Sequence, residues 1–118
     1  MTLVKICGLR SERDVELAVE AGADMVGMVL SPGFRRSVSL EEAASMADAS
    51  GDAVSVGVFV DSPPEAVIRA VFELGLDAVQ LHGSEDDEYV SRIRSDARVT
   101  VVKSFVVKGP QDVEAARR

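Results

Sequence analysis

EAGADMVGMV (residues 20–29) and ELGLDAVQLH (residues 73–82) share the pattern E-x-G-x-D-x-V. In both stretches a helical segment ends at a glycine, a residue that readily adopts the left-handed conformation found at helix ends. An apolar, β-type run follows the glycine in each case. The shared pattern therefore marks a helix-to-strand junction that recurs along the chain, and it predicts a fold of repeated β-α units.

Five apolar segments are predicted to be strands around these junctions. Most are nearly continuous apolar runs, which are typical of parallel strands covered on both faces. The predicted strands span residues 3–7, 25–30, 54–60, 78–81 and 99–105.

The segments between the strands carry helix signals. A serine followed three residues later by a carboxylate predicts an N-cap, and Pro63 is expected at the first helical position. Three glycines predict helix ends, whereas the fourth helix lacks such a glycine. The predicted N-caps are Ser11, Ser39, Ser62 and Ser84, the helix-ending glycines are Gly22, Gly51 and Gly75, and a fifth helix is expected to begin within residues 109–118.

This alternation leaves two architectures open, a closed (β/α)8 barrel and an open doubly wound sheet. A (β/α)8 barrel takes roughly 200 residues or more, whereas this sequence has 118 and five predicted strands. On pattern and length alone, an open five-stranded sheet fits better. The absence of a linker or low-complexity tract predicts a single domain over residues 1–118.

Composition excludes several classes of function. A net charge of −7 and a pI near 4.6 oppose non-specific binding to nucleic acid or anionic membranes. The sequence has no run long enough to span a membrane and no signal peptide, so we expect a cytoplasmic protein. With no nucleotide-binding motif and a single histidine, we expect no cofactor and no metal.

Polar residues at the ends of the predicted strands are the candidates for chemistry, because in either architecture the loops after parallel strands form the active-site face. They are Cys7 after the first strand, Arg35 and Arg36 after the second, Asp61 after the third, Gln80 and His82 at the end of the fourth, and Lys103 on the fifth.

Each candidate also has a structural interpretation. A lone cysteine such as Cys7 is more often a small buried hydrophobe than a reactive group. Arg35 and Arg36 could bind a carboxylate or phosphate, or could be solvated surface residues. His82 could contact a ligand or hold the turn that follows it. From the residues alone these alternatives stay open.

Four motifs in one frame carry a family resemblance: VKICGL (4–9), GADMVGMVLSPGFRRSVS (22–39), VGVFVD (56–61) and DAVQLHG (77–83). Together, in order and spacing, they resemble the phosphoribosylanthranilate isomerases. The resemblance implies a (β/α)8 TIM barrel of which this chain covers roughly strands 1–5, a partial barrel. It also implies an isomerase of tryptophan biosynthesis that converts N-(5-phosphoribosyl)anthranilate to 1-(2-carboxyphenylamino)-1-deoxyribulose 5-phosphate by an Amadori rearrangement.

The same resemblance implies roles for individual residues. Cys7 matches the family's general base, Arg36 a contact for the anthranilate carboxylate, and His82 a residue lining the substrate site. Arg35, Gln80 and Lys103 are expected to play supporting roles. The family's general acid, an aspartate after the sixth strand, and its phosphate-binding loops are expected to lie beyond this sequence, and Asp61 matches no catalytic position.

Two alternatives to this function also fit parts of the sequence. A catalytically incomplete partial barrel would bind or assemble without turnover, and its unpaired first and fifth strands would need covering by a homo-oligomer or a complementing C-terminal fragment. Another phosphosugar barrel enzyme, such as an epimerase or indole-glycerol phosphate synthase, would share the β-α rhythm. It would not predict KICG and QLHG together.

Overall fold

The computed structural model describes residues 2–104, in which strands and helices alternate along the chain. The strands are β1 (Lys5–Ile6), β2 (Met25–Val29), β3 (Val54–Phe59), β4 (Ala78–Leu81) and β5 (Thr100–Lys103). The helices between them are α1 (Glu12–Glu20), α2 (Leu40–Ala49), α3 (Pro64–Leu74) and α4 (Asp87–Ala97). Phe105, predicted to end the last strand, and the fifth helix predicted within 109–118 lie outside the described residues.

The spatial order of the strands decides between the two architectures. All neighbouring pairs are parallel, and the order across the sheet is β1-β2-β3-β4-β5, the same as along the chain. A doubly wound sheet reverses its strand order at a switch point, and this sheet does not. The fold is therefore a partial (β/α) barrel, as the resemblance predicts, and in the described part β1 and β5 each have one neighbour.

The repeated aspartate of E-x-G-x-D-x-V has the same task in both copies. An Asp24 carboxylate oxygen accepts a hydrogen bond from the Val4 backbone N–H at 2.8 Å. An Asp77 oxygen accepts from the Ser55 backbone N–H at 2.9 Å and from its hydroxyl at 3.2 Å. Each aspartate thus joins the start of its own strand to the preceding strand in the sheet, which gives the sequence repeat a physical cause.

Two of the four predicted N-caps are confirmed. The Ser11 hydroxyl accepts from the Asp14 N–H at 3.1 Å, and Ser39 forms a complete capping box with Glu42. The other two are wrong. Helix α3 has Pro63 at the N-cap, with Pro64 rather than Pro63 as the first helical residue, and α4 is capped by Asp86, which accepts from the Tyr89 N–H.

The helix ends follow the glycine signals closely. Gly75 is the left-handed C-cap of α3, whereas Gly22 and Gly51 lie one residue beyond the caps of α1 and α2, both with positive φ. Helix α4 ends instead at Arg98, whose φ of 50° is a conformation that favours glycine.

The core lies between the sheet and the layer of helices, in which α1 packs on α2, α2 on α3 and α3 on α4. Its largest fully buried side chains include Met28, Met46, Leu81 and Ile93. This core holds the strand ends in place, and those ends carry the candidate site.

None of the helices within residues 2–104 is long and apolar enough to cross a membrane.

Candidate functional site

Cys7 lies immediately after β1 and is exposed, so the interpretation of this thiol as a buried packing residue is wrong. Its sulfur rests against Gly27 in the middle of β2: a Cβ at Gly27 would lie 2.9 Å from the Cys7 Sγ. A glycine inside a strand often marks such a close approach. The missing side chain at Gly27 therefore leaves room for the thiol at the edge of the sheet.

Arg36 crosses the backbone directly after Cys7. Its Nη1 donates to the Gly8 carbonyl at 3.3 Å, and a Cβ at Gly8 would lie only 2.8 Å from the Arg36 Cδ. Gly8 also has a φ of 76°, which is strained for other residues. The loop after β2 thus brings a guanidinium group to the end of β1. Arg35 is exposed and lies outside these contacts.

Gln80 and His82 form a second pair at the end of β4. The Gln80 Nε2 lies 2.7 Å from the His82 Nε2 and donates to the Ser104 hydroxyl at 3.0 Å. Because an amide nitrogen only donates, the His82 Nε2 accepts, and a neutral ring then carries its proton on Nδ1. Gln80 therefore selects the tautomer of His82 and links it to the chain after β5.

A largely buried ion pair holds the chain that follows His82. The Lys103 ammonium donates to a Glu85 oxygen at 2.6 Å and also to the Gly83 carbonyl. The other Glu85 oxygen accepts from the Asp61 backbone N–H at 2.9 Å, and an Asp61 oxygen accepts from the Ser84 N–H at 2.7 Å. We call these five residues, Asp61, Gly83, Ser84, Glu85 and Lys103, the strand-end ring. It ties together the ends of β3, β4 and β5.

Glu85 was missed by sequence reasoning, although a lysine in an apolar strand is a signal that a carboxylate must lie nearby. Burial, the largest single influence, would raise the pKa of Glu85. Hydrogen bonds from Lys103 and from backbone N–H groups, including that of Asp61, outweigh it and hold the pKa below its ordinary value. Glu85 is therefore ionised at neutral pH and balances the Lys103 charge.

A cluster of hydroxyl groups lies in the loops that follow β2 and β3. Ser31 is buried; its Oγ lies 2.5 Å from the Ser62 Oγ and accepts from the Val60 N–H at 2.9 Å. The Ser37 hydroxyl donates to the Ser31 carbonyl, and the Tyr89 hydroxyl donates to the Ser62 carbonyl, each at 2.6 Å. These bonds occupy Ser62, which explains why it does not cap α3.

Tyr89 is constrained by the same surroundings. Its desolvation, followed by the negative charges of Glu85, Asp61 and Glu65, raises the pKa of the Tyr89 hydroxyl to about 12. The phenol therefore stays protonated and remains a hydrogen-bond donor. Within residues 2–104, no three His, Cys, Asp or Glu side chains are placed to hold a metal ion.

The parallel sheet and its β-α order agree with a known protein family. The family model described as "N-(5'phosphoribosyl)anthranilate (PRA) isomerase" matches residues 4–118.

The chain belongs to the N-(5'-phosphoribosyl)anthranilate isomerase family. It is 44% identical over 110 residues to the isomerase of Symbiobacterium thermophilum, covering 93% of this chain and 48% of that protein. It also superimposes on a phosphoribosyl anthranilate isomerase in complex with reduced 1-(o-carboxyphenylamino)-1-deoxyribulose 5-phosphate, with a TM-score of 0.92 and 38% identity over 98% of this chain and 59% of that one. Generated monomers of the dimeric isomerase of Thermotoga maritima give a TM-score of 0.91 at 38% identity, over 98% and 59% of the two chains.

These matches confirm the predicted family and fold class, and they give no support to a different phosphosugar enzyme. The chain spans about half the length of the curated relatives it matches. Of the candidates, the structure joins Arg36 to the backbone beside Cys7, and Gln80 to His82. Lys103 and Asp61 belong to the strand-end ring.

Proposed function

We propose that this chain carries the general base and the anthranilate-binding part of an N-(5'-phosphoribosyl)anthranilate isomerase. The observation that carries the proposal is the exposed Cys7 thiol at a strand end, with the Arg36 guanidinium bonded to the next residue, Gly8. A thiol and a guanidinium so placed suit a substrate that has both an acidic C–H bond and a carboxylate.

The reaction requires two proton transfers at different points of the substrate. An acid protonates the furanose ring oxygen, so that the C1–O bond breaks and a Schiff base forms. The Cys7 thiolate then removes the C2 proton, giving an enolamine that tautomerises to the ketone. The guanidinium of Arg36 binds the anthranilate carboxylate.

His82, Gln80 and Arg35 complete the proposed substrate-binding group. His82 is exposed at the end of β4, and its ring is held by Gln80, so it presents a fixed Nδ1–H donor to a ligand above the sheet. Arg35 lies beside Arg36 on the same loop and adds positive charge that attracts the anionic substrate.

The general acid of this proposal is not drawn from residues 2–104. Asp61 follows the end of β3, but its carboxylate accepts a hydrogen bond from the Ser84 N–H in the loop after β4. Glu85 is buried and paired with Lys103. Both carboxylates at this edge thus have structural partners, which supports assigning the acid to a part of the protein outside the described residues.

The edges of the sheet support a proposal about assembly. Leu3 and Val4 beside β1 are 68% and 45% exposed, and Val102 on β5 is 40% exposed. Apolar edges of this kind are normally paired or covered. Either a second copy of the chain or a complementing C-terminal segment would cover them, and without such a cover the chain would act as a partial barrel that binds without turnover.

The proposed working environment is the cytoplasm, with a small phosphosugar-anthranilate as substrate and no nucleic acid or membrane as partner. One cysteine in the sequence suits a reducing compartment, because it has no intramolecular disulfide partner.

Turnover of freshly prepared phosphoribosylanthranilate, followed by loss of anthranilate fluorescence, tests the base. We expect Cys7→Ala to abolish turnover. Arg36→Met should weaken binding of the reduced product analogue, measured by calorimetry, by roughly 10- to 100-fold, which is the value of a charge-assisted hydrogen bond. Arg13→Met, at an exposed arginine of α1 paired with Glu16, is the matched control.

The outcomes distinguish a working isomerase from a catalytically incomplete partial barrel. Analogue binding that depends on Arg36, without turnover, supports the catalytically incomplete partial barrel. Turnover and binding that are both unchanged by Cys7→Ala and Arg36→Met would refute the proposed site.

A further inference from the structure

The strand-end ring holds the loop that carries His82, yet none of its members has a role in the chemistry proposed above. We infer that Lys103 is a positioning residue for His82, acting through the Gly83 carbonyl and the Glu85 carboxylate. The inference rests on the proposed function only for the substrate-binding role of His82. The contacts of Lys103 that support it do not depend on that function.

The peptide group between Gly83 and Ser84 is held at both ends. Its carbonyl accepts from the Lys103 ammonium, and its N–H donates to the Asp61 carboxylate at 2.7 Å. On the other side of the histidine, the His82 N–H donates to the Phe59 carbonyl at 2.9 Å. His82 is thus bracketed by two fixed peptide groups, and its ring has little freedom beyond its own torsions.

The ring closes on itself through Glu85. One of its oxygens accepts from Lys103 and the other from the Asp61 N–H, so Asp61 is held by both its backbone and its side chain. Gly83 lies so close to Asp61 that a Cβ there would be 2.5 Å from the carboxylate carbon. Displacing Lys103 therefore disturbs every contact in the ring rather than one hydrogen bond.

Burial makes the pair sensitive to loss of one partner. The side chains of Lys103 and Glu85 are 18% and 1% exposed. Removing one charge alone leaves the other uncompensated, whereas neutralising both removes that penalty. The double change still deprives the Gly83 carbonyl of the ammonium, however, and this difference separates charge balance from positioning.

The test uses variants of the whole chain. Lys103→Met removes the ammonium, Lys103→Met/Glu85→Gln neutralises both partners, and Lys103→Arg keeps a charged donor. Arg69→Met is the matched control, because Arg69 forms an equally short ion pair, 2.6 Å to Glu73, that is exposed on α3.

The readouts are the imidazole nitrogen and carbon-proton NMR signals of the chain's only histidine and the hydrogen exchange of the Ser84 amide. We expect Lys103→Met, alone or combined with Glu85→Gln, to shift the His82 signals and to speed Ser84 exchange at least tenfold. The double variant should unfold at a higher temperature than Lys103→Met. Lys103→Arg should return the signals toward their original positions, and Arg69→Met should leave them unchanged.

Two results would overturn the inference. Unchanged His82 signals and Ser84 exchange in the folded double variant would mean that Lys103 does not position this loop. Restoration of both readouts by the double variant would mean that charge balance alone matters. If the chain neither turns over substrate nor binds the product analogue, the proposed function fails, but these readouts still decide the role of Lys103.

Discussion

Gly83 and Asp61 should show strong energetic coupling, because they approach more closely than any side chain at position 83 would allow. A Cβ at Gly83 would lie 2.5 Å from the Asp61 Cγ and Oδ1 and 2.6 Å from its Oδ2. The carboxylate has little room to retreat, since it holds the Ser84 N–H and Asp61 has a φ of 49°. Gly83→Ala must therefore strain or break this contact.

The expected cost follows from three effects. Overpacking costs about 1–3 kcal/mol, and loss of the Ser84 hydrogen bond costs about 1 kcal/mol more. Replacing glycine by alanine returns about 0.5–1 kcal/mol through the smaller entropy of the unfolded chain. We expect Gly83→Ala to lower the free energy of unfolding by about 2 kcal/mol, the middle of the range these effects span.

Asp61→Gly is the second single variant of the cycle. It removes the carboxylate and its hydrogen bond, which lowers the free energy of unfolding, but glycine relieves the strain of the positive φ at this position. These two effects nearly cancel, so Asp61→Gly alone should change stability little. With no carboxylate to meet, alanine at position 83 should be tolerated. The double variant should then be more stable than the sum of the two single changes predicts, by about 2 kcal/mol.

Urea unfolding measures the free energy of unfolding of the unchanged chain, the two single variants and the double variant. It is followed by far-ultraviolet circular dichroism, since the sequence has no tryptophan for fluorescence. Gly57→Ala is a useful comparison, because its Cβ would meet Leu76, Leu30 and Phe59 instead of Asp61. It should destabilise the protein without any coupling to Asp61→Gly. Single-variant effects that add within about 0.5 kcal/mol would refute the proposed contact.

Three further predictions concern single residues. Arg98→Gly should stabilise the chain by about 0.5–1 kcal/mol, because Arg98 ends α4 with a φ of 50°; a lower melting temperature would contradict this. Ser39→Ala should destabilise it by about 1 kcal/mol through loss of the α2 N-cap, while Ser45→Ala, inside the same helix, should have a smaller effect in the same urea experiment. Because the pKa of Glu85 is lowered in the folded state from 4.5, its contribution to stability is present above pH 4.5 and is lost as the pH falls through the folded value. Glu85→Gln should therefore flatten the pH dependence of stability below that pH, and an unchanged acid profile would show that Glu85 is not responsible.

The N-caps show how far local sequence signals reach. Ser11 and Ser39 cap helices as predicted, since a cap depends only on residues within three positions of it. Ser62 follows the same local rule but fails, because its hydroxyl lies against Ser31, which is 31 positions earlier in the chain. A nearby competitor displaces Ser84, since Asp86 caps α4 instead.

The candidate site divides in the same way. The positions of Cys7, Arg36 and His82 after their strands follow from the β-α alternation and the family motifs. The structure places all three in segments that follow the C-terminal ends of strands. The ion pair of Lys103 and Glu85 joins residues 18 positions apart across two strand ends. Lys103 in an apolar strand indicates a carboxylate nearby, but no local pattern identifies Glu85 as that partner. Its geometry depends on how β4 and β5 align.

By itself the sequence determined the order of strands and helices, their approximate positions, the family, and the residues that could do chemistry. These follow from periodicity, caps and motifs, which act between neighbours along the chain. Only the tertiary structure decided that the strands keep their chain order without reversal, that Cys7 is exposed beside Gly27, and that the strand-end ring encloses the loop after His82. Those features depend on parallel register and close packing between distant segments, where a fraction of an ångström decides which groups can meet.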